Sequence, residues 1–168
     1  MKPEHSNEPV NLRCDVTKLY NIFFGDANEI LYNNLLQHIT STFELFRSTR
    51  NKEDYLRNNI FLPYLNNEKA HFKENQYKQR MEALNSFTMF RFTQDPIIYP
   101  HESAWFGEVS ADGKTTVPME ETTIYLKNTL GLKTLNEEKR IAKKEIEGFH
   151  LQLSDEVLKG DVTQALLK

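Results

Sequence analysis

The stretch "SFTMFRFTQDP", residues 86–96, decides the fold class of this 168-residue chain. It is short, rich in aromatic residues and bounded by an Asp-Pro pair, as expected of a strand that is buried on both faces. A second segment, "RIAKKEIEG" at 140–148, favours another strand, although lysines interrupt its apolar pattern. Because a helical pattern lies between the two, the second half is predicted to be α/β, a parallel sheet with flanking helices.

Three short signals fill in the elements around these strands. Asp112-Gly113 predicts a hairpin turn. Pro118, followed by two glutamates, predicts the start of a helix that ends at Gly131. Ser154 is predicted to cap a last helix.

The residues before 86 are predicted to be a loose tail, 1–13, followed by a helical segment, 14–85. Asp26, with Glu29 three positions later, is typical of a helix start. The apolar residues that follow recur at spacings of three and four, which places them on one face: Leu31, Leu35, Ile39, Phe43 and Phe46. This stripe is either a packing face or a lipid groove.

Weaker patterns complete the helical segment. Residues 51–59 predict a short polar helix or turn, 60–67 an apolar loop interrupted by Pro63, and 73–85 a helix. The long interval without glycine, from Gly25 to Gly107, favours helices over a turn-rich β structure.

Composition excludes several classes of function. The net charge of −3 and the absence of a basic cluster argue against a partner that is nucleic acid or an anionic membrane. No run of apolar residues is long enough for a transmembrane helix, and the polar N-terminus does not resemble a signal peptide, so the sequence predicts a cytosolic protein if Met1 is the true start. Cys14 is the only cysteine. No metal or nucleotide motif is present, and no cofactor is predicted.

An acid and a histidine follow the two predicted strands. Asp95 comes after the first and His150 after the second, so both are expected at the carboxyl edge of one parallel sheet. A histidine acts as a general base when a buried carboxylate holds its other ring nitrogen. The simpler readings are a turn at Asp95 and a surface residue at His150. His101 lies in the loop after Asp95, close enough along the chain to approach such a site.

A hydrolase of this order needs a serine on a Gly-x-Ser-x-Gly elbow. No two of the six glycines flank a serine in that pattern within the 168 residues. An acid and a base without a nucleophile cannot run acyl transfer, so the chain by itself is predicted to be inactive.

Four segments together resemble a known family: 60–68, 83–107, 115–133 and 147–156. They are similar to the C-terminal half of the lysosomal palmitoyl-protein thioesterase 1 family, and the resemblance runs from about Cys14 to Glu156. Its members are α/β hydrolases that remove fatty acyl groups from S-acylated cysteines of proteins with a serine, an aspartate and a histidine. The resemblance implies a lysosomal palmitoyl-protein thioesterase of which this chain is a fragment, lacking the half with the nucleophile.

The resemblance also implies roles for particular residues. Asp95 and His150 match the aspartate and histidine of the triad, and 14–85 matches the helical insertion that forms the acyl-chain groove. Leu31, Leu35, Ile39 and Phe43 are then groove candidates, and 86–168 is the C-terminal part of the hydrolase core. Cys14 lacks the upstream partner of the family, and Phe149 replaces an acidic residue common there.

Two alternatives to a thioesterase fragment stay open. One is an inactive remnant that binds a lipid or a protein partner, and the other is a helical interaction domain with a small α/β appendix. If the sheet lacks its other strands, an exposed sheet edge is expected to favour self-association.

Overall fold

The computed structural model describes residues 45–49 and 51–166. Helices come first, as predicted: α1 (Lys52–Asn58), α2 (Leu62–Leu65) and α3 (Glu74–Glu82). The described residues include no helix that is both long and apolar enough to cross a membrane.

Strands and helices then alternate. The strands are β1 (Phe87–Phe92), β2 (Glu108–Val109), β3 (Thr116–Val117) and β4 (Ile141–Ile146). Two 3₁₀ turns, His101–Trp105 and Met119–Glu121, flank the β2–β3 pair. The helices of this half are α4 (Thr123–Leu126), α5 (Leu132–Glu137), α6 (Asp155–Val157) and α7 (Thr163–Leu166), with a π-helical turn, Leu158–Val162, between the last two.

The parallel sheet predicted from the two segments is present. β1 pairs with β4 in parallel, from Phe87 opposite Ile141 to Phe92 opposite Ile146. The charged residues of β4 are accommodated because they find partners outside the core: Lys143 binds Glu120 at 2.7 Å, and Glu145 pairs with Arg91 on β1. The fold is therefore α/β with a parallel sheet, as the sequence predicts.

The core lies where β1 meets the helices that precede β4. Met89 of β1 packs there with the buried residues of the Met119–Leu132 region, and partly buried aromatic residues close its edge. Leu132 and Leu135 are completely buried. The strands whose carboxyl ends lead to Asp95 and His150 are thus packed against a well-formed hydrophobic core.

Two smaller predictions are confirmed. β2 and β3 form an antiparallel hairpin, in which Gly113 has φ +73° and its N–H donates to the Ser110 carbonyl. Ser154 caps the last helical stretch, and its hydroxyl oxygen accepts a hydrogen bond from the Val157 N–H at 3.2 Å.

The predicted end of one helix is wrong. The helix expected to end at Gly131 ends at Leu126, and Gly131 instead precedes α5. Gly131 has φ +85°, and a Cβ atom there would lie 2.4 Å from the Glu82 Cγ, so the close approach of α3 dictates this glycine.

The expected loop at 60–67 contains α2. It forms because Asn59 Oδ1 accepts from the Phe61 and Leu62 N–H groups and Pro63 needs no donor in a first helical turn.

Most of the predicted first helix lies outside the described residues, and so do the tail and Cys14. Of the apolar stripe only Phe46 falls within the described part, and its backbone is not helical. The prediction that the helix extends to Phe46 is therefore wrong. Leu31, Leu35, Ile39 and Phe43 lie outside the described residues.

Candidate active site

The ends of β1 and β4 bring the predicted acid and histidine together. The parallel ladder continues past both strands, with the Thr93 N–H donating to the Ile146 carbonyl and the Gln94 N–H donating to the Gly148 carbonyl, each at 3.0 Å. Asp95 follows Gln94 directly, and His150 lies two residues after Gly148. The sheet thus delivers both side chains to its carboxyl edge.

The Asp95 side chain stabilises the turn that follows it. Its Oδ1 accepts hydrogen bonds from the N–H groups of Ile97 at 2.8 Å and Ile98 at 3.0 Å. Such an Asx turn is the usual role of an aspartate before proline. The turn fixes the carboxylate plane and leaves Oδ2 for another donor.

That donor is His150. Its Nδ1 lies 2.7 Å from Asp95 Oδ2, an ordinary hydrogen-bond distance, and the Asp95 side chain is only 5% exposed. Burial acts to raise the pKa of Asp95. The hydrogen bonds from His150, Ile98 and Ile97, with the charge of His150, outweigh burial and hold that pKa below its ordinary value. Asp95 is therefore an ionised carboxylate that accepts from three donors.

This contact assigns the chemistry of the two ring nitrogens. Because Nδ1 donates to a carboxylate, Nε2 of neutral His150 carries the lone pair and is the nitrogen that can accept a proton. A neighbouring carboxylate stabilises the imidazolium that then forms. The pair has the geometry of a general base and its orienting acid.

His150 and Asp95 line a small cavity of about 160 Å³. Its apolar wall comes from the end of β1 and from both following loops: Phe90, Phe92, Ile98, Ala104 and Leu151. Arg91 and His101 are its other ionisable residues. This cleft is expected to open toward apolar residues of the helical segment 14–85, but all of its lining residues lie within 90–151, and no described residue of that segment lines it.

His101 is the residue of this site to which sequence reasoning assigned no role. Its Nε2 lies 2.7 Å from the backbone carbonyl oxygen of Asp95. The only signal in the sequence is its place in the loop after Asp95.

Trp105 fastens the 3₁₀ turn that begins at His101 to the sheet. Its Nε1 donates to the Met89 carbonyl at 3.2 Å, and the Arg91 guanidinium stacks 3.9 Å from its ring centroid. Arg91 also binds Glu102 at 3.2 Å. This wall of the cavity is therefore held by several contacts at once.

A second cavity, of about 320 Å³, is lined on one side by Tyr99, Pro100 and Ser103 of the loop that follows Asp95. Residues 45–49 and Leu62 from the helical segment line its other side. The loop between Ile98 and Ala104 is thus shared by the small cavity at His150 and a larger one against the helical segment.

Comparisons with known proteins show the family of the chain. The model of the family described as "Palmitoyl protein thioesterase" matches residues 11–150. The chain belongs to the palmitoyl protein thioesterase family. The matched range includes both strands of the parallel sheet, Asp95 and His150.

Curated relatives support the assignment to the family. Palmitoyl-protein thioesterase 1 of Caenorhabditis elegans is 36% identical over 111 residues, which are 66% of this chain and 37% of the relative. Palmitoyl-protein thioesterase 3 of Dictyostelium discoideum is 36% identical over 114 residues, 67% of this chain and 39% of the relative. The Lysosomal thioesterase PPT2 homolog of Drosophila melanogaster is 29% identical over 126 residues, 72% and 43% of the two chains. The chain thus matches about two fifths of the length of these relatives.

Proposed function

We propose that the chain supplies the acid and base of a palmitoyl-protein thioesterase, Asp95 and His150, to a nucleophile that lies outside its 168 residues. The observation that carries the proposal is the 2.7 Å hydrogen bond from His150 Nδ1 to the buried Asp95 Oδ2. Membership of the family supports the reaction class. The part of the relatives that the match does not cover is where a Gly-x-Ser-x-Gly elbow would lie.

In this mechanism His150 Nε2 takes the proton of the serine hydroxyl as its oxygen attacks the thioester carbonyl carbon. Asp95 stabilises the imidazolium while the tetrahedral intermediate exists. His150 then gives the proton to the departing cysteine sulfur, so the protein thiol leaves and an acyl-enzyme remains. Water attacks next, deprotonated by the same nitrogen, and the fatty acid leaves as the serine recovers its proton.

We further propose a division of labour along the chain. Residues 14–85 form the acyl-groove segment and 86–168 the hydrolase core, and Leu31, Leu35, Ile39 and Phe43 face the acyl chain of S-acylated protein substrates. The larger cavity supports this division because residues 45–49 and Leu62 line it opposite the loop that also borders His150. A fatty acyl chain needs an apolar cavity beside the reacting carbonyl.

Lysosomal localisation is the second part of this proposal. It is supported by the name of the Drosophila relative, a lysosomal thioesterase homologue. Fluorescence microscopy of the tagged protein in its own cells, scored against a lysosomal marker, tests it.

Self-association of the isolated chain is the third part. Within the described residues β1 pairs only with β4, so its other edge faces no described strand. Open strand edges recruit further strands. We expect oligomers in analytical ultracentrifugation, and a monodisperse monomer would contradict this part alone.

A non-catalytic role is the second candidate, because no Gly-x-Ser-x-Gly elbow occurs in the 168 residues. In that case the larger cavity would hold a fatty acid without turnover. Palmitate would then raise the melting temperature of the chain, while no nucleophile segment would restore hydrolysis.

Hydrolysis of a palmitoyl thioester by the purified chain tests the first proposal. We expect no turnover above background, because the 168 residues contain no Gly-x-Ser-x-Gly elbow to supply the serine nucleophile beside the acid and base. Turnover that survives purification and disappears with His150→Ala would show that the chain contains its own nucleophile and would overturn the proposal.

A further inference from the structure

Asp95 is held through its backbone as well as through its side chain. Oδ1 accepts from the Ile97 and Ile98 N–H groups, Oδ2 accepts from His150, and the backbone carbonyl accepts from His101 Nε2 at 2.7 Å. The Asp95 carboxylate keeps its orientation toward His150 only if the Asp95 backbone is itself held in place. The contact at the carbonyl therefore acts on the same geometry as the contacts at the carboxylate.

We infer that His101 is a positioning residue of the site: its Nε2–H clamps the Asp95 carbonyl, and the clamp holds the carboxylate toward His150. This inference rests on the proposed function only for its catalytic meaning, since the contact itself is structural. His101 binds back to a residue six positions earlier in the chain, and the contact is short and partly buried.

The chemistry of the contact assigns the ring nitrogens of His101, and Nε2 is not available as a base. Its partner is a carbonyl oxygen, which only accepts, so Nε2 must carry a proton. Protonation of Nδ1 leaves that donor in place, so the clamp holds in both charge states of the imidazole. The charged side chains around the two histidines are Asp95 itself and Arg91, with Glu102 and Glu145 bound to Arg91.

The position of His101 explains how the clamp stays rigid. His101 is the first residue of the 3₁₀ turn His101–Trp105, and Trp105 is bonded to the Met89 carbonyl of β1. Asp95 follows the end of the same strand. The loop is therefore tied at two points: Trp105 binds the middle of β1, and His101 binds Asp95, just after the end of β1.

Nuclear magnetic resonance of the full 168-residue chain tests the inference without any need for turnover. The signal to follow is the downfield Nδ1–H resonance of His150, which reports the bond to Asp95. We expect His101→Leu to remove it and to speed exchange of the Ile97 and Ile98 amides by roughly tenfold, the loss of about one net hydrogen bond. His101→Gln keeps an N–H donor, so it is expected to retain the resonance.

The controls separate the inference from the proposed function. Asp95→Asn should remove the resonance even with His101 in place, and it should do so whether or not the chain ever takes part in catalysis. A His101→Leu variant that folds and keeps the resonance would overturn the positioning role and leave the proposed function standing. If that variant does not fold, His101→Gln decides, and loss of the resonance there overturns the inference.

A measurement on the unmodified chain gives an independent check. Long-range nitrogen–proton spectra assign the tautomer of each neutral histidine. We expect the Nε2–H tautomer at His101 and the Nδ1–H tautomer at His150. A neutral His101 protonated on Nδ1 would contradict the clamp.

Discussion

Asp95 and His150 meet because the hydrogen-bond ladder between β1 and β4 runs two steps past the ends of the strands, to the Gly148 carbonyl. The contact of 2.7 Å is thus built by the sheet. Preorganisation of this kind lets a base act without rearrangement of its orienting acid.

The first prediction concerns the pKa of Asp95. Carbon NMR titration should give a value below the ordinary 3.9 or so of an aspartate, because His150 and two backbone N–H groups donate to the carboxylate. His150→Phe should raise that pKa, since burial remains while the main donor is lost. An unchanged titration in this variant would show that His150 does not stabilise the carboxylate.

The same shift makes stability depend on pH. A carboxylate with a lowered pKa in the folded state stabilises the fold fully above the unfolded pKa of about 4, and that contribution is lost as pH falls through the folded value. As the pH falls from about 5 to about 2, the free energy of unfolding of the Asp95→Asn variant should therefore decrease less than that of the unmodified chain. Urea denaturation at several pH values measures this, and parallel curves for both chains would contradict it.

The third prediction concerns the ion pair beneath the larger cavity. Arg47 binds Glu68 with two hydrogen bonds, of 2.7 and 3.0 Å, and Tyr55 donates to the same carboxylate at 2.7 Å. Glu68→Ala removes two hydrogen bonds from the partly buried Arg47 guanidinium, which keeps Glu108, and the partner of the Tyr55 hydroxyl, so it should cost about 1–3 kcal/mol of unfolding free energy. The exposed pair Lys133–Glu137 offers the control, and Glu137→Ala should cost less than about 0.5 kcal/mol. Equal losses would mean that burial does not matter here.

The fourth prediction concerns Gly131, which replaces the expected helix end. Gly131→Ala should destabilise the chain by about 1–3 kcal/mol, because φ is +85° and a Cβ atom would overlap Glu82. Gly160 has no atom within 4 Å of the corresponding position, so Gly160→Ala should be neutral or stabilise by less than about 1 kcal/mol. Thermal unfolding of the two variants compares them, and the reverse order would refute the account of Gly131.

Much of the second half could be predicted from local patterns. Aromatic residues bounded by Asp-Pro indicated β1, Asp112-Gly113 indicated the hairpin, and the rule that parallel strands end at one edge indicated the meeting of Asp95 with His150. These features depend on residues near in sequence or on general topology, which a single sequence carries.

The misses depend on individual contacts, some local and some between segments, that no residue pattern announces. Gly131 looks like a helix end, but it precedes α5 with φ +85°, and Glu82 of α3 lies where a Cβ atom would stand. α2 forms where Pro63 suggested a loop, because the Asn59 side chain supplies its first turn. The role of His101 depends on a bond to a backbone carbonyl, for which no residue pattern exists.

Hydrolysis of a palmitoyl thioester by a chimera tests the central claim most directly. In the chimera, residues 11–150, which the family model matches, replace the homologous segment of the Caenorhabditis elegans relative, and that relative supplies the rest of the fold. We predict a turnover that falls about a thousandfold or more with His150→Gln and with Asp95→Asn, since both act as parts of one triad. A chimera that folds and has no activity, or one whose activity is indifferent to His150→Gln, would contradict the claim.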